Sequence, residues 1–223
     1  MLVTETKQYR ADLPPLPDRI KSLPVDDRGY PVPWFVAWID GKADFRIVGR
    51  GKFVDAVKNR RCWICGDPLG RYMAFVAGCM CGINRTSSEP PCHLDCAMFA
   101  AIACPFMVRP TAKRREAGLA ELGTVEPGGV MIQRNPGVAM VYVTKSYKVW
   151  NPGNGALIEM GEPTDVFWFR EGRPASRAEV DESIHTGMPL LEKMAREDKD
   201  PEGAQQELRR YVARFAPWLP RLA

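Results

Sequence analysis

Apolar and polar residues along this chain alternate in some stretches and recur at helical spacing in others, and the changes mark its elements. Trp34 to Ile39 is a β-branched and aromatic run, Asp40-Gly41 is a hairpin-type turn, and Phe45 to Val48 returns, so a two-stranded hairpin is expected. From Lys52 to Arg61 the apolar Phe53, Val54 and Val57 fall at i, i+1 and i+4, and Lys58, Arg60 and Arg61 sit near the end, where cations suit a helix dipole. This predicts a helix running into Cys62. Arg71 to Ala77 reads as a strand with Cys81 to Asn84 as its partner, and an apolar helix should follow Pro90-Pro91.

The later part of the chain repeats this grammar. Strands are expected at Val138 to Val143, Tyr147 to Trp150, Ala156 to Met160 and Asp165 to Phe169, with turn residues Asn151 to Gly155 between the second and third. Ser176 and Glu179 form an S-x-x-E capping box that opens a helix, and Gly187 followed by Pro189 should break or reset it near Met188. A last helix after Pro201 should turn Leu208, Tyr211, Val212 and Phe215 onto one apolar face.

Proline and glycine set the divisions. Residues 1–33 hold six prolines and read as an extended Pro-rich arm that wraps the surface; 34–116 carry the hairpin, the helix and a cysteine-rich region. Residues 117–223 form a β-rich segment followed by C-terminal helices, entered through a Gly/Pro-rich connector. Of the 223 residues 45% are hydrophobic and 26% charged, the balance of a globular chain, and no apolar run reaches the ~18 residues of a membrane span. Met1 to Arg10 lacks a basic region leading into an apolar one, so a cytoplasmic protein that does not engage membrane is expected, the host cytoplasm if a phage encodes it.

In that compartment seven cysteines need a reason other than disulfides. Six of them, and one of the two histidines, lie between residues 62 and 96. Cys62-Trp-Ile-Cys65-Gly66 is a C-x2-C pair followed by glycine, the geometry of a knuckle in which two thiolates converge on a metal. His93-Leu-Asp-Cys96 opens the helix after Pro90-Pro91, and residues three apart share a helix face. Cys92 competes with His93, since four-residue spacing also shares a face. Cys79 and Cys81, in C-x-C spacing, fit buried thiols, and Cys104 lies too far along the helix to join one ion.

A knuckle, a hairpin and a helix carrying the remaining ligands resemble the treble-clef zinc finger over Cys62 to about Cys104. The resemblance implies one structural Zn2+ per chain, held by Cys62, Cys65, His93 and Cys96. The fold class expected is therefore α+β, mixed strands and helices with an inserted treble-clef-like finger. Four protein ligands close a site against water, so a structural rather than catalytic ion is expected. The C-x2-C-G opening is also shared with HNH nucleases, but their catalytic histidine on the hairpin has no counterpart here. No H-x-E paired with P-C-x-x-C, phosphate-binding loop, dinucleotide fingerprint or H-E-x-x-H occurs. No catalytic residue is assigned, and His185 reads as a surface side chain.

Charge adds a candidate partner. Residues 1–116 hold 18 Lys/Arg against 12 Asp/Glu, a balance of +6, whereas residues 117–223 hold 13 against 15, or −2. A basic half suits an anionic partner, nucleic acid being the commonest, although a solvated surface reads the same way. Arg85, in the polar loop before the ligand helix, and Arg109, Lys113, Arg114 and Arg115 beyond it are the candidate nucleic-acid contacts.

The runs Pro31-Val-Pro-Trp-Phe-Val, Cys62-Trp-Ile-Cys-Gly, Asn84-Arg-Thr-Ser-Ser-Glu-Pro-Pro and Glu171-Gly-Arg-Pro-Ala-Ser-Arg-Ala-Glu-Val resemble a group of proteins encoded by bacteriophages and prophages. That resemblance implies a viral or mobile-element setting. The function expected is a phage-type zinc-binding accessory protein engaging nucleic acid through its basic N-terminal half. The alternatives are a module binding a host or phage protein, which it inhibits or redirects, and an enzyme with a pocket between the finger and the C-terminal sheet.

Overall fold

The computed structural model describes residues 8–109, 135–153 and 155–222. Its centre is the run Val138 to Val143, which the sequence marks as apolar without alternation. All six residues of the strand formed there, β5 (Ala139–Thr144), are buried, because both faces of its sheet are covered. β5 is flanked by β3 (Met73–Ala77) and β8 (Pro163–Arg170), and β9 (Arg173–Pro174) completes an antiparallel four-stranded sheet in the order β3-β5-β8-β9. Strand alternation then sorts the core into two halves. Ala139, Val141 and Val143 point to one half, with Cys62, Trp63, Cys96 and Ala97; Met140 and Tyr142 point to the other, with Ile83, Val180, Leu191 and Phe215.

The hairpin forms as read, from β1 (Val36–Ile39) and β2 (Lys42–Val48). Asp40 and Gly41 both have positive φ, 49° and 77°, and Ile39 pairs with Lys42, as a two-residue turn requires. Helix α2 (Lys52–Lys58) follows, but Val54 is 64% exposed while Ala56 is buried. The Pro-rich arm, mostly irregular apart from the single turn α1 (Asp18–Lys21), inserts Ile20, Leu23 and Val32 into the core.

The main departure from expectation lies between the knuckle and the ligand helix. Cys79–Asn84 is a helix, α3, and not the strand partner of β3. β3 pairs instead with β5, Ala74 opposite Val143, so the cysteine-rich region and the C-terminal segment share a sheet. So short and mostly apolar a run carries no decisive period; tertiary packing chose the helix, which turns Cys79, Met80 and Ile83 inward. Gly82 is essential to that fit, because a Cβ there would lie 2.6 Å from Met140 Sδ and 2.7 Å from Phe215 Cζ. The chain then forms β4 (Thr86–Ser87), which joins β7 (Leu157–Met160) and β6 (Tyr147–Trp150) in a small antiparallel sheet. Helix α4 (Leu94–Ala103) follows.

Helix α5 (Arg177–Arg196) begins at the expected capping box: Ser176 Oγ accepts from Glu179 N, and Glu179 accepts from Ser176 N at 2.8 Å. It does not break at Pro189. Val180, Ser183, Gly187, Leu191 and Ala195 form one continuous buried stripe past an exposed proline, and packing along that stripe offsets the lost backbone hydrogen bond. Helix α6 (Pro201–Phe215) packs through Leu208, Tyr211 and Phe215, leaving Val212 on the outer side. No helix among the described residues is long and apolar enough to cross a membrane.

Candidate metal centre

The knuckle is shaped by its own backbone before any ion is considered. Gly66 N donates to Cys62 O at 2.9 Å and Cys62 N to Asp67 O at 2.8 Å, which folds the four-residue segment back on itself. Gly66 takes φ +82°, and a Cβ there would meet the Trp34 ring at 2.6 Å, so glycine serves both the turn and the close approach of the segment entering β1. Cys62 and Cys65 project from this turn. His93 stands at the N-cap of α4 in extended conformation, and Cys96 faces the same way from the first turn.

The four ligand atoms, three Sγ and one imidazole nitrogen, all lie within 4.8 Å of one another, so Cys62, Cys65, His93 and Cys96 could hold a metal ion. Tetrahedral ligation by sulfur and imidazole at ordinary bond lengths places neighbouring donors about 3.5–3.8 Å apart. Cys65 Sγ stands 3.3 Å from His93 Nδ1, slightly inside that spacing. Outside the cluster His93 Nε2 contacts the Pro68 carbonyl at 3.1 Å. A carbonyl only accepts, so Nε2 carries the proton and Nδ1 turns an unprotonated lone pair toward the three sulfurs. Cys62 Sγ also accepts backbone N–H groups from Cys65 and His93, each at 3.4 Å, which favours a thiolate.

Crowding makes the donor set poorly suited to stand alone. Hydrogen bonding from the Cys65 and then the Cys96 thiol holds Cys62 well below the usual thiol range. The same bonds raise Cys65 and Cys96, each most strongly through its bond to Cys62. Without a cation one sulfur of the three ionises easily; a cation reverses this and favours three thiolates. Cys62 and Cys96 are fully buried and four protein ligands fill a tetrahedron, which leaves no open position for a reacting water.

The competing thiol points elsewhere. Cys92 exchanges backbone hydrogen bonds with Ala74 at 2.8 Å in each direction, its Sγ donates to Ala74 O at 3.1 Å, and burial pushes its thiol up. Cys92→Ser is accordingly expected to keep one metal per chain, whereas His93→Ala should lose it or hold it at least tenfold more weakly, measured by competition with a chromogenic chelator. The reverse order would reassign the third ligand. Cys79 lies in the opposite core half, with its Sγ 3.3 Å from Ser183 Oγ, and Cys104 caps α4.

A clamp over the centre escaped sequence reading. Arg19, in α1, pairs with Asp67 of the knuckle at 3.1 Å and reaches Asp95 of α4 at 3.8 Å, and Trp34 N donates to Ile64 O at 2.7 Å. The arm is thus tied to both ligand-bearing segments. Only Gly66, directly after C-x2-C, signalled any of this.

Of the candidate nucleic-acid residues, Arg85 is engaged within the fold. Arg85 caps α3 with φ 56°, donates to Met160 O through Nε and Nη2 at 2.9 and 2.8 Å, and pairs with Glu162 at 2.6 Å. Glu162 also receives Arg214. Arg85 therefore joins α3 to the small sheet. Arg109 is exposed, and Lys113, Arg114 and Arg115 lie outside the described residues. Comparison with protein-family models, with curated proteins and with solved structures finds no match to this chain.

Proposed function

We propose that this chain is a zinc-binding accessory protein of phage type whose Cys3His centre is structural and whose basic half engages nucleic acid. Zinc is the ion this donor set favours, because three thiolates and an imidazole in a closed four-coordinate cluster suit its soft, tetrahedral preference better than that of hard oxygen-seeking cations. The knuckle and the ligand-bearing start of α4 support the treble-clef reading at its two ends, while β3, α3 and β4 lie between them in place of the expected hairpin. The phage setting rests on the sequence resemblance.

The observation that carries the binding role is the state of the cations of the basic half. Lys42, Arg50, Lys58, Arg60 and Arg71 are exposed and, among the described residues, have no carboxylate partner, whereas Arg19, Arg28 and Arg46 are each paired with one. Unpaired surface cations release counterions from a polyanion without first breaking an ion pair. Protein purified without added metal is expected to contain one zinc by elemental analysis and to retain mixed-sequence nucleic acid at low ionic strength, with affinity falling steeply in a salt series. Retention that is absent at low salt, or insensitive to salt, would favour the alternative of a protein partner.

A further inference from the structure

The loop from Gly66 to Tyr72 is held from several sides. Pro68 accepts from His93 Nε2 and bridges to Arg61, Asp67 is held by Arg19, and Leu69 N donates to Arg60 O at 2.7 Å. The loop delivers Arg71 and Tyr72 to the start of β3. Met73 pairs with Thr144, so the turn after β5 brings Lys145 beside Tyr72, its Nζ 5.0 Å from the ring centroid. The Arg60 guanidinium reaches the same end, 3.3 Å from Gly70 O and 3.5 Å from Met73 Sδ.

One exposed cation, Lys145, therefore stands over an exposed aromatic ring, Tyr72 being 52% exposed, while exposed Arg71 precedes it in the chain and exposed Arg60 is held at the neighbouring Gly70 and Met73. The nearby carboxylates are engaged or displaced: Asp55 is held by Arg61 and Asn59, Glu162 by Arg85 and Arg214, and Asp165 lies beyond β5 on β8. None of Arg60, Arg71 and Lys145 has a carboxylate partner among the described residues.

We propose that this end of the sheet binds single-stranded nucleic acid, with Tyr72 as the stacking platform and Arg60, Arg71 and Lys145 as phosphate contacts. The assignment rests on the nucleic-acid reading above and moves its contacts from Arg85, whose guanidinium is occupied, to the anchored loop. Cations alone would serve a duplex equally well. An exposed ring at the same end of the sheet favours unpaired bases, since a duplex hides its base faces while a single strand offers them for stacking. Lys145 over the ring adds a cation–π contact that holds the tyrosine in place.

The test measures fluorescence anisotropy of a thymidine 12-mer, a uridine 12-mer and a blunt duplex of equal length at low salt, with the two single strands distinguishing DNA from RNA. Single strands should bind more tightly than duplex. Tyr72→Ala should weaken them roughly tenfold and Tyr72→Trp should restore binding. The triple variant Arg60→Gln, Arg71→Gln, Lys145→Gln should lower the salt slope by about two. Zinc content and thermal midpoint report whether each variant is folded. Photocrosslinking of bromouridine-containing 12-mers to the unmodified protein, mapped by mass spectrometry, should label Tyr72 and needs no variant. Tighter duplex binding, an unaffected Tyr72→Ala, or crosslinks confined to other elements would overturn this surface and leave the basic-half reading standing. No retention of any of the three probes would remove both.

Discussion

Replacing Cys62 or Cys65 with serine is expected to abolish stoichiometric metal and to unfold the half of the core built around the knuckle. Structural zinc contributes apparent binding free energies on the order of 10–16 kcal/mol, and a domain is stable by about 5–15 kcal/mol, so the loss is comparable with the whole margin. Both sulfurs belong to the core half that holds Trp63, Ala74, Cys96 and Val141, and the disturbance should pass into the sheet through Ala74. The checks are elemental analysis and near-ultraviolet circular dichroism before and after chelation. Cys104→Ser, outside the cluster, should leave both unchanged. A chelated protein that keeps its near-ultraviolet signal and thermal midpoint would show that the centre does not support the fold.

Trp63→Ala should be the most damaging change that leaves every ligand in place. The indole is 3% exposed, stacks on Phe35 with centroids 4.8 Å apart and planes 5° from parallel, and meets Phe53 edge-on at 6.3 Å. It therefore joins the knuckle to the segment entering β1 and to α2. Truncating a buried aromatic costs about 3–5 kcal/mol, which in a chain of this size lowers the thermal midpoint by roughly 10 °C. Trp63→Phe should cost far less, because it keeps a ring and removes an Nε1 that is buried without a hydrogen-bond partner among the described residues. Thermal scans of both variants, with zinc content held at one per chain, measure the difference. Equal losses from alanine and phenylalanine would mean that the stack on Phe35 contributes little.

The legible features were those fixed by local chemistry. The Asp40-Gly41 turn, the Ser176/Glu179 box and the C-x2-C-G knuckle each involve residues a few positions apart, and each forms as spacing implies. His93 and Cys96 were readable for the same reason. What escaped depends on partners far along the chain. Nothing near Cys79–Asn84 announces that Met140 and Phe215 will pack against Gly82, so the run by itself reads as a strand. Pro189 carries its intrinsic helix-breaking weight in the sequence, and the stripe from Val180 to Ala195 outweighs it only once a partner surface exists. Arg85 looked available for phosphate because Met160 and Glu162, 75 and 77 residues later, are invisible at its position.

The placement of β3 also bears on synthesis. All four metal ligands have left the ribosome once residue 96 is clear of it, and the Ala74 to Cys92 bridge can already cover one side of β3. The other side waits for residues 139–144. At about 5–20 residues per second that interval lasts seconds, during which a metal-loaded knuckle would carry a strand with one bare edge. An unpaired edge is a template for any neighbouring extended chain. Early metal capture would then leave the nascent protein exposed to pairing with its neighbours on a polysome until β5 arrives, so crowding of translating copies, in addition to metal supply, would bear on the yield of correctly folded chains.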